Sequence, residues 1–426
     1  MRGIQRPRLA RTLRRLRARL CLPLAGLVVG ALAVTQAAAA TADCGNWPDW
    51  NDFVDTVMQA DGRVIDHTTP ALQTTSEGQS YALFFALVAN DRATFDRVLG
   101  WTEANLAGSQ LDAQLPAWQW GKKGDGSYGV MDSNSASDAD AWIAYALIEA
   151  SRLWDAPKYA KTAHALLAQV KRREVLDLPG LGPMLIPGEH GFALAGGTWR
   201  LNPSYLPLPV LRRFALDDPA GPWQRIAESA VRMIQSASPH GFAPDWLGYR
   251  AGAGFIVDPV KGDVGSYDAI RVYLWAGITS SRDPLAKPLL AALGGMRAAV
   301  SAAPPERVAT TSADATGTAP AGFSGALLPY LQALGDDQAV RAQRARIVSM
   351  LGAAPPAPSA MFSDGQASPM RQAASYYDRV LLLFGQGWID GRYRFDAQGR
   401  LEPEWQKTCR LRSTPSSHTR CTTPSH

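Results

Sequence analysis

The stretch Ser76-Glu77-Gly78-Gln79-Ser80-Tyr81 runs directly into the apolar segment ALFFALVA at 82–89. Serine followed by glutamine three residues later is a capping-box pattern that opens a helix. Glu77 falls in the first turn, where the helix dipole favours a negative charge. The glutamate is thus either a favourable charge at a helix start or an acid placed there for chemistry. The rest of the chain decides between the two.

Apolar residues at helical spacing continue over most of the sequence, and alternating strand-like runs are few. The pattern predicts helices over 48–60, 78–90, 92–106, 138–154, 156–173, 203–215, 221–237, 267–280, 284–300, 322–334, 337–352 and 372–386. Every second start falls near 77, 138, 203, 267, 323 and 372, with gaps of 61, 65 and 64 residues that shorten to 56 and 49. Six helical hairpins at near-even spacing predict an all-α (α/α)6 barrel, in which inner parallel helices present their N-termini at one face. The 34-residue period of an open tetratricopeptide solenoid is missing.

If the inner helices are parallel, residues far apart in sequence converge at that face. The starts read Ser76-Glu77, Ser137-Asp138, Asn202-Pro203-Ser204-Tyr205 and Ser266-Tyr267-Asp268. Three carry a carboxylate, and the fourth has asparagine at the cap with proline at the first helical position. Singly, each carboxylate reads as an ordinary first-turn charge. Together, beside Trp118, Trp120, Tyr205, Trp246 and Tyr267, they read as a sugar cleft, since aromatic rings stack on pyranose faces and paired carboxyls cleave glycosidic bonds. Arg271, three residues after Asp268, is either a counter-charge for that carboxylate or an ordinary helix pair. Asp140 points away from Asp138, and Trp142, Trp275 and Trp388 lie in apolar helices where core packing is expected. Long connections at 118–137 and 302–320 read as functional or mobile loops. Asp125, Asp132 and Asn134 in the first of these do not match the spacing of a calcium loop.

The ends of the chain read differently. Eight arginines precede the apolar run LCLPLAGLVVGALAV and the small-residue stretch TQAAAATA. That is a secretory signal peptide over 1–42, cut near Ala40 or Ala42, and the run is shorter than the roughly 20 residues a span needs. Its removal leaves 35 of the 43 basic residues against 38 acids, so the net charge moves from +5 to −3. The basic balance therefore belongs to the precursor and argues for no nucleic-acid partner. With no later apolar span, the mature chain is expected to be periplasmic or secreted, without membrane insertion. Residues 43–405 read as one catalytic domain and 406–426 as a disordered tail. Cys44, Cys409 and Cys421 remain after cleavage and allow one disulfide whose partners are open. The scattered histidines give no H-E-x-x-H and no zinc cluster.

The segment ASDADAWIAYALIEASRLW (Ala136–Trp154) resembles the signature of glycoside hydrolase family 8. SEGQSY (76–81) and GSYDAIRVYLW (265–275) resemble that family's other motifs. NPSY (202–205) and YYDRVLLLFGQGWIDGRYRFDAQGRL (376–401) resemble its periplasmic endo-β-1,4-glucanases of bacterial cellulose-synthesis operons. The resemblance runs from about Cys44 to Trp405. It implies an (α/α)6 barrel and an inverting hydrolase of cellulose-type β-1,4-glucan that needs no cofactor, with a cellulose synthase complex as a further partner. Carried over by motif, Glu77 is the general acid and Asp268 the general base, while Asp138 holds the distorted sugar and couples to the acid's proton. Xylan, chitosan and mixed-linkage glucan stay open as substrates, as does a subunit that binds glucan without cutting it.

Overall fold

The computed structural model describes residues 47–300, 303–352 and 374–407. The expected signal segment, Cys44, Cys409, Cys421 and the expected tail beyond Lys407 lie outside the described residues. Thirteen α-helices are described: α1 (Pro48–Val57), α2 (Ser76–Val88), α3 (Arg92–Leu106), α4 (Ser137–Leu153), α5 (Pro157–Arg173), α6 (Leu208–Asp217), α7 (Trp223–Ala237), α8 (Ala269–Ile278), α9 (Ala286–Ala292), α10 (Gly294–Ala299), α11 (Ala321–Ala333), α12 (Asp337–Gly352) and α13 (Tyr376–Ile389). Among the described residues no helix is long and apolar enough to cross a membrane.

Burial sorts the helices into two layers. Every residue of α2 except Glu77 is buried, as is every residue of α8 and all of α11 from Ala321 to Leu331. A helix buried on all sides belongs to an inner ring. Its outer partner buries one stripe: Tyr159, Ala163, Leu166, Leu167 and Val170 on α5, or Gln343, Ile347 and Leu351 on α12. The inner order is α2, α4, α6, α8, α11, α13, each packed on the next, with α3, α5, α7, α9–α10 and α12 outside the first five. Phe384 of α13 closes the ring, stacking on Phe84 at 5.4 Å and meeting Phe85 edge-on at 4.6 Å. The sixth outer helix is α1, from the other end of the chain. Asp52 of α1 and Arg379 of α13 form a buried ion pair at 2.7 Å. Gly385 and Gly325 let α13 and α11 approach until any side chain at Gly385 would meet the Gly325 carbonyl. This is the (α/α)6 barrel that the spacing predicts.

The two faces differ in how they are connected. Inner-to-outer links are short, such as 89–91, 154–156 and 334–336. Outer-to-inner links are long and carry most of the β-structure that the sequence pattern did not show. Gln119–Lys122 and Tyr128–Asp132 form a hairpin beside Thr74–Thr75, and Arg307–Ala309 pairs with Asp314–Thr316. Strands 193–194, 198–201, 247–250 and 254–257 form one sheet across two connections. The expected loops at 118–137 and 302–320 are therefore built largely as hairpins, on the face where the inner helices begin.

Two starts and one helix interior depart from expectation. Thr75, not Ser76, caps α2, its Oγ1 accepting from the Gly78 amide at 3.2 Å. Gln79 does not reach back as a capping box requires. It accepts from the Val64 amide at 2.8 Å and donates to Thr102 Oγ1 at 3.0 Å, pinning the preceding segment to α3. The third inner helix begins as a 3₁₀ turn at Pro203–Tyr205 and resumes only at Leu208. Pro207 and Pro209 supply no amide hydrogens for a continuous first turn. The single helix expected over 284–300 breaks at Leu293, ahead of Gly294 and Gly295.

Candidate active site

Glu77 is the residue of α2 that reaches the surface of the barrel, at the helix start. Its Oε1 accepts from the indole N–H of Trp118 at 3.1 Å. Trp118 precedes the 119–122 strand, whose pairing with Thr74–Thr75 brings that indole to the start of α2. Burial raises the Glu77 carboxyl above the usual range, with the Asp268 charge acting in the same direction, while Arg271 and the Trp118 hydrogen bond pull it down.

Asp138 is fully buried in the first turn of α4. Its Oδ1 accepts from the next amide, Ala139, at 2.9 Å, and Oδ2 has no hydrogen-bond partner. Burial, followed by the charge of Glu77, holds its carboxyl well above the ordinary value. The charge of Glu77 thus disfavours ionisation of Asp138.

Asp268 stands in a different environment. Its side chain is about one-third exposed, at 32 %. Oδ2 accepts from the Trp246 indole at 3.0 Å, and Oδ1 from Arg271 Nη2 at 3.0 Å. Arg271, 8 % exposed, also donates to Ser204 Oγ at 2.8 Å and lies 3.8 Å from Asp138 Oδ2. It is more than an i,i+3 surface pair: it joins the starts of α4 and α8 and the 3₁₀ turn between them.

The aromatic candidates divide. Trp118, Tyr205 and Trp246 line a cavity of about 370 Å³ together with Asp132, Asn134, Phe192, Arg200 and Lys261. Phe192 stacks on Trp246 at 5.8 Å with ring planes 7° apart, and the Arg200 guanidinium lies 4.6 Å from the Trp246 ring. Arg200 is itself fixed by a two-point ion pair to Asp258 at 2.8 and 2.9 Å. Tyr267 is 45 % exposed; its hydroxyl donates to Glu306 at 3.1 Å and its ring packs on Phe323. Trp120 is not brought to the carboxylates. A bulge between Gln119 and Trp120 turns its ring onto Tyr128, Trp101 and the Arg63 guanidinium. Asp125 and Asp132 each accept from an amide two residues on, as turn residues do. Trp142, Trp275 and Trp388 are core residues.

Several contributors have no local sequence signal. Asp140 faces Glu174, the C-cap of α5, and both side chains are fully buried, so burial and the Glu174 charge raise the Asp140 carboxyl. Burial pushes Glu174 up to about 8, although Ser135 donates to it at 2.6 Å. Tyr377 reaches Arg271 from α13 at 3.4 Å and donates to the Tyr267 carbonyl at 2.6 Å. Asp245 caps the start of α8 from more than 20 residues earlier in the connection that leads into it.

An α/α barrel whose inner-helix starts gather unlike carboxyls beside an aromatic cleft defines a glycoside hydrolase. The family model of glycosyl hydrolases family 8 matches residues 22–391, and the chain belongs to that family. It is 49% identical over 386 residues to an endoglucanase of Xanthomonas axonopodis pv. citri (strain 306), covering 90% of this chain and 96% of that one. An endoglucanase of Escherichia coli (strain K12) is 42% identical over 365 residues, covering 85% and 92%. Among solved structures, the endo-1,4-D-glucanase of Vibrio fischeri ES114 superposes with a TM-score of 0.77 at 40% identity, covering 84% of this chain and 99% of that one. The endo-beta-1,4-glucanase CMCax of Acetobacter xylinum gives 0.62 at 27% identity, covering 79% and 95%.

Proposed function

We propose that this glycoside hydrolase is an endo-β-1,4-glucanase acting on cellulose-type chains by a single inverting displacement. Inversion needs one carboxyl to protonate the leaving oxygen and another to activate water, at a separation of roughly 6.5–9.5 Å. The observation that carries the reading is the contrast between two carboxyls at one cleft. Glu77 is lifted by burial, which suits a group that must hold a proton to give it away. Asp268 has two donors, Trp246 and Arg271, which suit a group that must be ionised to take a proton from water. Glu77 is then the acid and Asp268 the base. Asp138, beside Arg271, grips the sugar at the cleavage point and shares the proton of Glu77. Trp118, Tyr205 and Trp246 offer ring faces and edges to neighbouring sugars, and Tyr267 a ring at the rim; Trp120 acts by supporting the wall. The relatives named endoglucanase favour glucan as the chain that is cut.

The reading extends to the rest of the chain. Residues 1–42 direct export and are removed, 43–405 form the catalytic domain and 406–426 a tail. The mature enzyme works in the periplasm or outside the cell, in cellulose biosynthesis, where the synthase complex is a partner. Carboxyls and water suffice for the reaction, so no cofactor enters it.

Release of reducing ends from carboxymethylcellulose, chitosan and xylan in parallel tests the substrate, and preference for either of the last two overturns it. Glu77→Gln is expected to lose turnover by about 10⁴-fold while still binding cello-oligosaccharides. Wild-type cleavage by that variant removes Glu77 as the acid, and an inactive wild-type protein that binds glucan reduces it to a binding subunit. NMR of the first product tests inversion: the α-anomer is expected, and a β-anomer excludes it.

A further inference from the structure

An aspartate at the N-cap of a helix ordinarily turns its carboxylate back onto the first-turn amides. Asp268 holds that position on α8 and makes no such bond. Its two oxygens face Trp246 and Arg271 instead. The Ile270 and Arg271 amides are taken by the Ser266 and Asp268 carbonyls, and those of Ser266, Asp268 and Ala269 by Asp245, whose Oδ1 accepts at 2.7, 3.1 and 2.8 Å. The Asp245 amide is in turn held by the Val264 carbonyl at 2.8 Å, so the residue is fixed to the strand that leads into α8. Its chain neighbour is Trp246. One dipeptide therefore anchors the backbone of Asp268 with its first residue and the carboxylate with its second.

We propose that Asp245 is a positioning residue for the reaction: by capping α8 in place of Asp268, it leaves the Asp268 carboxylate in the cleft. The inference rests on the assignment of Asp268 as the base. Without that cap the Ala269 amide at the start of α8 stands open, and the Asp268 carboxylate can turn onto it as Asp138 Oδ1 does onto the Ala139 amide. That rotation would take the base away from its water.

The surroundings of Asp245 give the role a pH signature. The charged and titratable groups that face it are Asp268 at the start of α8, Tyr273 further along α8 and Tyr377 on α13. Arg271 is engaged by Asp268. Burial, followed by the Asp268 charge, raises the Asp245 carboxyl to about 6. Below that pH the cap becomes a neutral acid, a weaker acceptor for three amides.

The test compares Asp245→Ala, Asp245→Asn and Asp268→Asn on one cello-oligosaccharide, with kcat and KM read separately. Asp245→Ala is expected to lose about 100-fold in kcat with KM changed less than about threefold. Asp245→Asn keeps an acceptor oxygen and should recover most of that loss, while the decline in kcat near pH 6 disappears because the amide does not titrate. Wild-type kcat in Asp245→Ala overturns the proposal, and so does an Asp245→Asn variant that keeps the decline near pH 6. If the alanine variant fails to fold, the asparagine profile decides alone. Turnover by Asp268→Asn would overturn the base assignment; an inert Asp268→Asn beside a fully active Asp245→Ala overturns only the positioning role.

Discussion

The indole N–H of Trp118 is bonded to Glu77 Oε1 at 3.1 Å, so this carboxyl is held by a donor that favours its charged form. Burial works in the opposite direction and is the larger effect. Trp118→Phe keeps the ring and removes the donor. The Glu77 carboxyl should then rise further, moving the alkaline limb of the pH–rate profile to higher pH. A limb that stays in place would mean that another group sets it.

Arg271 touches more of the site than any single carboxylate does. Its charge lowers both Glu77 and Asp138, and its hydrogen bonds hold Asp268 and Ser204. Arg271→Gln should reduce kcat by about 100-fold or more, since a fixed charged donor is lost from a water-poor site. The alkaline limb should move up, because Glu77 loses a cation that favours ionisation. Arg271→Lys should recover little, a single ammonium being unable to serve Asp268, Ser204 and Tyr377 together. Full activity in the lysine variant would contradict this.

Glu174 links the site to stability. Its carboxyl titrates near 8 in the folded protein against an ordinary 4.5. The unfolded chain therefore releases this proton first, so folding weakens as pH rises from about 4.5 to about 8 and is insensitive to this group above that. Glu174→Gln removes the effect. Its melting temperature relative to wild type should be higher at pH 8 than at pH 5, by an amount corresponding to a few kcal/mol at most, roughly. An equal difference at both pH values would show that Glu174 does not titrate in this window.

The pair formed by Asp52 and Arg379 is buried on both sides at 2.7 Å. Arg379→Ala removes the buried cation facing Asp52 between α1 and α13 and should destabilise the fold by about 3–5 kcal/mol. Denaturant unfolding measures this directly. A loss below about 1 kcal/mol would place the pair among those that exchange readily with water.

The barrel was legible because its signal is long-range and periodic. α3 and α12 match the predicted bounds, and the inner-helix starts fall within a few residues of the spacing. The carboxylates were legible for a related reason: Glu77, Asp138 and Asp268 sit at those starts. The hairpins were not, because strands of two to five residues have too few positions to show an alternation. Gln79 illustrates the limit of a local motif. Its spacing from Ser76 fits a capping box, but its partners are Val64, Gly62 and Thr102, which no reading of 76–79 reveals. Asp245 and Glu174 escaped for the same reason, since each acts on an element that begins after another stretch of chain. Trp120 and Trp118 share the connection before an inner helix, and a single bulge, invisible in the sequence, gives their rings different surroundings.

The seam between α1 and α13 joins residues 327 positions apart, and Phe384 completes the inner ring against α2. Five of the six hairpins are made of neighbours in the sequence and can form as the chain emerges. The last one cannot, because among the described helices its two members, α1 and α13, stand at opposite ends of the chain order. Until α13 arrives, the apolar flanks of α2 and α11 have no partner, and closure of so long a loop is slow. Loss of the C-terminal sixth of the chain would therefore not produce a smaller barrel but an open and sticky one. A newly made molecule should pass through that state on every occasion, and its survival depends on the final helix finding the first.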